Sequence, residues 1–329
     1  MRATVVLLII SSASRCGLAQ RVTTSFHTVV APESGEDIAD PCNYELRILS
    51  ANQRIRGLFV VFERGPELQH FYEEPEVAAF AEQHDLAMLM PMNCPAKDHG
   101  DIDVDPNRGL GRALLKAVDQ LSAITGHPEL KTAPLVVMGF SGAGALVARL
   151  VGFAPDRIAA AIVSHGGQAS PLNLDTITLS GAALKIPELV LVGGKDEVVG
   201  TEVPYGYFLK HWQLGSPWLF ATQNDAGHFC NEDATDLILS WLNAVLQSRS
   251  SKASAAVADR NKGYYGYFRK EPTDQGHPRL VQARDLKFER PSEAPPKNTV
   301  PSGWLPTREV ALSWERFANL PDHHASLKP

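Results

Sequence analysis

The chain has 329 residues, 44% of them hydrophobic, 21% charged and 8% aromatic, which suits a packed globular core and excludes a disordered chain, a collagen-like chain or a small disulfide scaffold. With 31 Lys and Arg against 37 Asp and Glu the net charge is -6, and without a long basic run no nucleic-acid partner is expected. The length suits one large α/β domain with additions or two modest domains.

Val5 to Ile10 is an apolar run preceded by Arg2 and followed by small residues up to Ala19, so residues 1–19 read as an export signal cleaved after Ala19, with a secreted or periplasmic destination. The run is well short of the roughly 18 residues a spanning helix needs, and no membrane anchor is expected. Removing the leader leaves Cys42, Cys94 and Cys230, enough for one bridge and a free thiol or for three unpaired cysteines.

Phe26–Val30 and Glu45–Leu49 read as antiparallel edge strands. Gly57–Phe62 is a continuous apolar run rich in β-branched and aromatic residues, as a fully buried strand requires, and Leu86–Met90, Leu135–Met138, Ala159–Val163, Leu189–Val192 and Trp218–Ala221 repeat that character. Helical patterns lie between most of them: Glu76–His84 after Pro75, Leu110–Thr125, Ala145–Phe153 and Asp233–Leu246. Strands alternating with helices predict a mostly parallel sheet covered on both faces, built from residues 20–248. Residues 249–329 hold nine of the chain's 23 prolines, which predicts an extension without a second core, wrapping the main domain through Tyr264–Phe268 and a short helix at Thr307–Phe317. Asp101, Asp103, Asp105 and Asn107 alternate like a calcium loop, but Pro106 replaces the turn glycine and Arg112 the bidentate acid, so no metal site is assigned to them.

Leu135 to Gly144 runs from a strand through Gly139-Phe140-Ser141-Gly142-Ala143-Gly144 into a helical pattern. A sharp turn of small residues there would lift the Ser141 hydroxyl off the sheet, beside the free N–H groups of a helix N-terminus. The segment resembles the nucleophile elbow of the α/β-hydrolase family, G-x-S-x-G, with Ala143 in place of the last glycine. The resemblance implies the α/β-hydrolase fold and, in chain order, an acid and then a histidine on loops after later strands.

Asp196 follows the strand Leu189–Val192 and His228 follows the strand Trp218–Ala221, so Ser141, Asp196 and His228 are the expected triad, with Glu197 and Asp225 as rival acids. For the oxyanion hole the family implies the Gly142 N–H and a donor after Phe62, where Glu63-Arg64-Gly65-Pro66 stands instead of the frequent His-Gly. Whether Glu63 or Arg64 donates stays open, and Arg64 is also a candidate to hold an acidic substrate group, or simply a surface ion pair. Tyr205 and Tyr207 are candidates to line a substrate pocket, while Phe208 and Trp212 at helical spacing fit core packing better.

The stretch 57–246 looks most like secreted serine esterases of the feruloyl-esterase and polyhydroxyalkanoate-depolymerase type. That likeness implies hydrolysis of a small-molecule or polymer-linked ester through an acyl-enzyme on Ser141, without a cofactor. The alternatives are an exported peptidase or acyltransferase with the same triad, and a binding protein of this fold that has lost catalysis. The pairing stays open, with Cys94 and Cys230, which both follow strand ends on the triad's side of the sheet, as the candidate pair to test.

Overall fold

The computed structural model describes residues 23–50, 54–62, 71–94, 97, 105–167, 173–228, 234–250, 258–273 and 279–321. The expected leader, together with Glu63, Arg64, Asp101, Asp103 and Cys230, lies outside them. The strands are β1 (Thr24–Val30), β2 (Cys42–Ile48), β3 (Gly57–Phe62), β4 (Leu86–Asn93), β5 (Leu135–Phe140), β6 (Ile158–Ser164), β7 (Glu188–Gly193), β8 (Trp218–Gln223), β9 (Tyr264–Thr273), β10 (Leu280–Glu289) and β11 (Val300–Leu305). The helices are α1 (Pro75–Gln83), α2 (Leu110–Thr125), α3 (Gly142–Phe153), α4 (Glu202–Gln213), α5 (Thr235–Ser250) and α6 (Arg308–Ala318).

All eleven strands form one sheet in the order β1-β2-β4-β3-β5-β6-β7-β8-β11-β9-β10. The six strands from β4 to β8 in that order run parallel. Every residue of β3, β5, β6, β7 and β8 is buried, because helices cover both faces. Alternation along the strands divides the apolar side chains between two cores. Leu58, Val60, Val137 and Val190 meet α2, α3 and α4, whereas Phe59, Val61, Val136 and Leu189 meet α1, α5 and α6.

The helices begin and end where local chemistry says they should. Pro75 opens α1, where a missing N–H costs nothing. Gly126 at φ 74° closes α2 in the left-handed conformation, and the Thr307 hydroxyl accepts from the Val310 N–H at the start of α6.

From β3 the chain crosses by α1, on one face, to β4; from β5 it crosses by α3, on the other face, to β6. The order of the sheet therefore reverses between β3 and β5, and Ser141 follows β5 at the carboxyl end of this switch point.

Residues 258–321 are more than a wrapping extension. They add β11, β9 and β10 to the sheet beyond β8, all antiparallel. Phe268, Val281 and Ala283 enter one core and Trp304, Leu305, Trp314 and Phe317 the other. Prolines did not prevent this because of where they fall: Pro272 lies past the last β11 partner of β9, and Pro301 sits at a register shift of the ladder. Gly303, at φ 119°, is pressed so close to β8 that a Cβ there would lie 2.1 Å from the Trp218 carbonyl oxygen. The Phe220 carbonyl accepts from both the Ser302 hydroxyl, at 2.5 Å, and the Trp314 indole, at 3.1 Å.

A disulfide joins Cys42 to Cys94, which overturns the candidate Cys94–Cys230 pairing. The cause is a long-range register: β2 pairs antiparallel with β4 so that Asn43 faces Asn93, bringing the cysteines just outside that pair together. No helix among the described residues is long and apolar enough to cross a membrane.

Trp314 is 1% exposed, so truncating it to alanine should cost about 3–5 kcal/mol of stability. Denaturant unfolding of Trp314→Ala measures this; an unchanged midpoint would show that the C-terminal strands and helix are not integral to the core.

Candidate active site

Ser141 leaves β5 and is the residue that caps α3, with φ 54° and ψ -121°. A side chain at positive φ is strained, and such strain persists only where its surroundings enforce it. Here the Ser141 N–H donates to the Ser164 carbonyl at 2.9 Å, and two glycines allow the chain to double back. A Cβ at Gly139 would lie 2.3 Å from the Ala143 carbonyl oxygen, and one at Gly144 would lie 2.9 Å from that of Ser164. The departure noted in the sequence is thereby explained: Ala143 is fully buried in the core, and Gly144 takes the close approach to β6. Gly142 opens α3, whose first N–H groups have no partner within the helix.

Two further turns meet Ser141. His228 Nε2 lies 3.1 Å from Ser141 Oγ, and His228 Nδ1 lies 2.7 Å from Asp196 Oδ2. With the imidazole protonated on Nδ1, the Ser141 hydroxyl donates to His228 and His228 donates to Asp196. Asp196 is 0% exposed, and its other oxygen accepts from the N–H groups of Val198 at 2.9 Å and Val199 at 3.0 Å. Burial alone would push its carboxyl up. The hydrogen bond from His228, with smaller contributions from the neighbouring imidazoles and the Val199 N–H, outweighs burial and holds it below the usual carboxylate range.

The turns carrying acid and base are laid on each other. The Gly194 N–H donates to the Gln223 carbonyl and the Lys195 N–H to that of Ala226, both at 2.8 Å. A Cβ at Gly193 would sit 2.1 Å from the Gly227 carbonyl oxygen, and one at Gly194 would sit 2.5 Å from that of Asn224, so the contact requires glycine at both positions. The rival acids point elsewhere: Glu197 is exposed, and Asp225 pairs with Lys195 at 3.0 Å on the surface.

Tyr205 and Tyr207 belong to the core, which corrects their placement in a substrate pocket. Tyr205 packs its ring among Phe208, Phe220 and Phe268 and donates to the Pro301 carbonyl. Tyr207 reaches Glu188 at 3.3 Å, the first residue of β7 and thus the edge of the sheet opposite Ser141. The cause is the direction of α4, which runs back from the acid turn towards the start of β8. Asp105 accepts from the Asn107 N–H at 3.0 Å and caps the short turn at Pro106–Arg108.

His165, which the sequence reading passed over, is the neighbour of the proposed base. It follows β6 at φ 48°, is 3% exposed, and sets its ring edge-on to that of His228 at 5.7 Å between centroids. Its Nδ1 is 3.0 Å from the Ser164 hydroxyl, while Nε2 is buried without a hydrogen-bond partner of ordinary geometry among the described residues. Burial pushes it down to about 4, more than the opposing pull of Asp196, so it stays neutral beside the dyad. A single histidine after Ala159–Ser164 carries no pattern; only the following Gly166 and Gly167 marked a tight turn there.

The sheet order and the turn at Ser141 define an α/β-hydrolase fold. A solved ferulic acid esterase superposes with a TM-score of 0.51 at 11% identity, covering 69% of this chain and 99% of that one. Two further similar structures are MGS-M1, an α/β-hydrolase enzyme from a deep-sea metagenome library (TM-score 0.49, 16% identity, 68% of this chain and 98% of that one), and LpqC, a poly(3-hydroxybutyrate) depolymerase from Bordetella parapertussis (0.45, 15%, 68% and 90%). No protein-family model matches the chain, and no curated protein matches it in sequence.

Glu188 is buried and its carboxyl is raised well above 4.5 by desolvation. The folded chain therefore keeps a proton that the unfolded chain loses, and the stability this contributes below the unfolded carboxyl's range is lost progressively as pH rises from that range through the folded value. Glu188→Gln should gain stability relative to the native chain between about pH 4 and about pH 7. Thermal unfolding at both pH values checks this; a difference that does not change with pH would contradict it.

Proposed function

We propose that this chain is an exported serine hydrolase that cleaves carboxylic esters through an acyl-enzyme on Ser141, with His228 as the base and Asp196 as its orienting acid. The observation that carries the proposal is the unbroken path from Ser141 Oγ through His228 to Asp196, at 3.1 and 2.7 Å. Three residues, 55 and 32 positions apart in the chain, meet at one edge of the sheet with the strained serine outermost.

In this proposal His228 Nε2 takes the Ser141 proton as Oγ attacks the ester carbonyl, and then returns it to the leaving alkoxide. Asp196 keeps Nδ1 protonated and stabilises the imidazolium that forms, and its low proton affinity suits that duty. Water then repeats the sequence to free the acid and Ser141. The Gly142 N–H, at the start of α3, is one oxyanion donor. The second, by the family resemblance, is Glu63 or Arg64 after Phe62, residues outside those the structure describes. Export is supported by the leader-like residues 1–19 and by the Cys42–Cys94 disulfide.

A fluorophosphonate probe should label Ser141, and Ser141→Ala should abolish both labelling and p-nitrophenyl acetate turnover. Asp196→Asn should retain the fold while losing about 10⁴ in turnover, through the wrong imidazole tautomer. Labelling elsewhere, or undiminished turnover in Ser141→Ala, would refute the assignment.

A further inference from the structure

We infer that residues 279–321 form a brace that fixes the position of the His228 imidazole, acting through Asn224; this rests on the Ser141–His228–Asp196 reading above. Asn224 begins the turn after β8, four residues before His228, and is 1% exposed. Its polar groups are engaged by the C-terminal extension. Its side-chain N–H donates to the Ala283 carbonyl at 2.6 Å, and its side-chain oxygen accepts from the Ala283 N–H at 2.8 Å. Its backbone carbonyl accepts from the Gln282 side chain at 3.0 Å, and its backbone N–H donates to the Ala318 carbonyl at 3.1 Å. The amide side chain thus behaves as one more strand residue, pairing in both directions with β10, while the end of α6 holds the backbone from another side.

The brace also reaches the acid's neighbourhood. The Thr201 N–H, past Asp196, donates to the Arg279 carbonyl at 3.3 Å, and Lys270, on the neighbouring strand β9 rather than in the brace itself, pairs with Glu202 at 2.9 Å at the start of α4. The Gln223 side chain donates to the Pro321 carbonyl at 3.2 Å. Because the Asn224 and Asp196 turns also pack on each other across Gly193 and Gly194, movement at Asn224 passes to both partners of the buried dyad. Asn224 touches none of the reacting atoms and is a positioning residue. A base displaced by about 1 Å loses on the order of a hundredfold in rate while substrate binding is spared.

The test uses the full chain with Asn224→Ala, Asn224→Asp and Gln282→Leu. Asn224→Asp keeps the oxygen that accepts from Ala283 N–H and turns the donor facing the Ala283 carbonyl into a carboxyl oxygen; Gln282→Leu removes the donor to the Asn224 carbonyl together with the oxygen that accepts from Arg284. For each, kcat and KM for p-nitrophenyl acetate are measured per mole of folded protein, with the folded fraction taken from circular dichroism. Asn224→Ala should lose about a hundredfold in kcat, the two milder changes about tenfold, all with KM little altered. Variants that melt earlier but keep native kcat per folded molecule would overturn the inference, and where Asn224→Ala does not fold the two milder variants decide it. A native chain that neither turns over ester nor labels at Ser141 refutes the functional reading itself, whereas an active native chain with undiminished variants refutes the brace alone.

Discussion

The structure turns on the hydrogen bond between Asp196 and His228. A carboxylate taken wholly out of water is costly unless its charge is answered, and Asp196 is answered by the imidazole on one oxygen and by the Val198 and Val199 N–H groups on the other. That compensation exists only while two turns, from β7 and β8, stay in mutual register. The parallel sheet places them side by side, and Gly193 and Gly194 let them touch. The strained serine completes the line from β5, held by the backbone of β6.

Much of this was legible along the chain because it depends on local patterns. Fully buried strands write themselves as unbroken apolar runs, so β3, β5, β6, β7 and β8 were expected close to where they lie. Ser141, Asp196 and His228 stood out because each follows such a run in the order the resemblance required, and the structure brings their side chains together.

What was illegible depends on contacts between distant segments. The Cys42–Cys94 bridge follows from the antiparallel pairing of β2 with β4, which no single stretch encodes. Tyr205 and Tyr207 were placed by their position after Asp196, but helix direction, not sequence distance, decides which end of the sheet a side chain reaches. Prolines suggested an extension that only wraps the domain, where its strands in fact lengthen the sheet and its side chains enter both cores. Asn224 and His165 carried no motif; each matters through what surrounds it, and a polar residue of that kind is invisible until its partners are known.

The central claim is a tautomer. If the line from Ser141 to Asp196 exists in solution, His228 carries its proton on Nδ1 and leaves Nε2 bare to accept. Nitrogen-15 NMR of the histidine-labelled native protein reads this directly at neutral pH. The line of hydrogen bonds requires a protonated Nδ1 with a low-field, exchange-protected proton and an unprotonated Nε2 for His228; an Nε2-protonated ring with no such proton would rule it out.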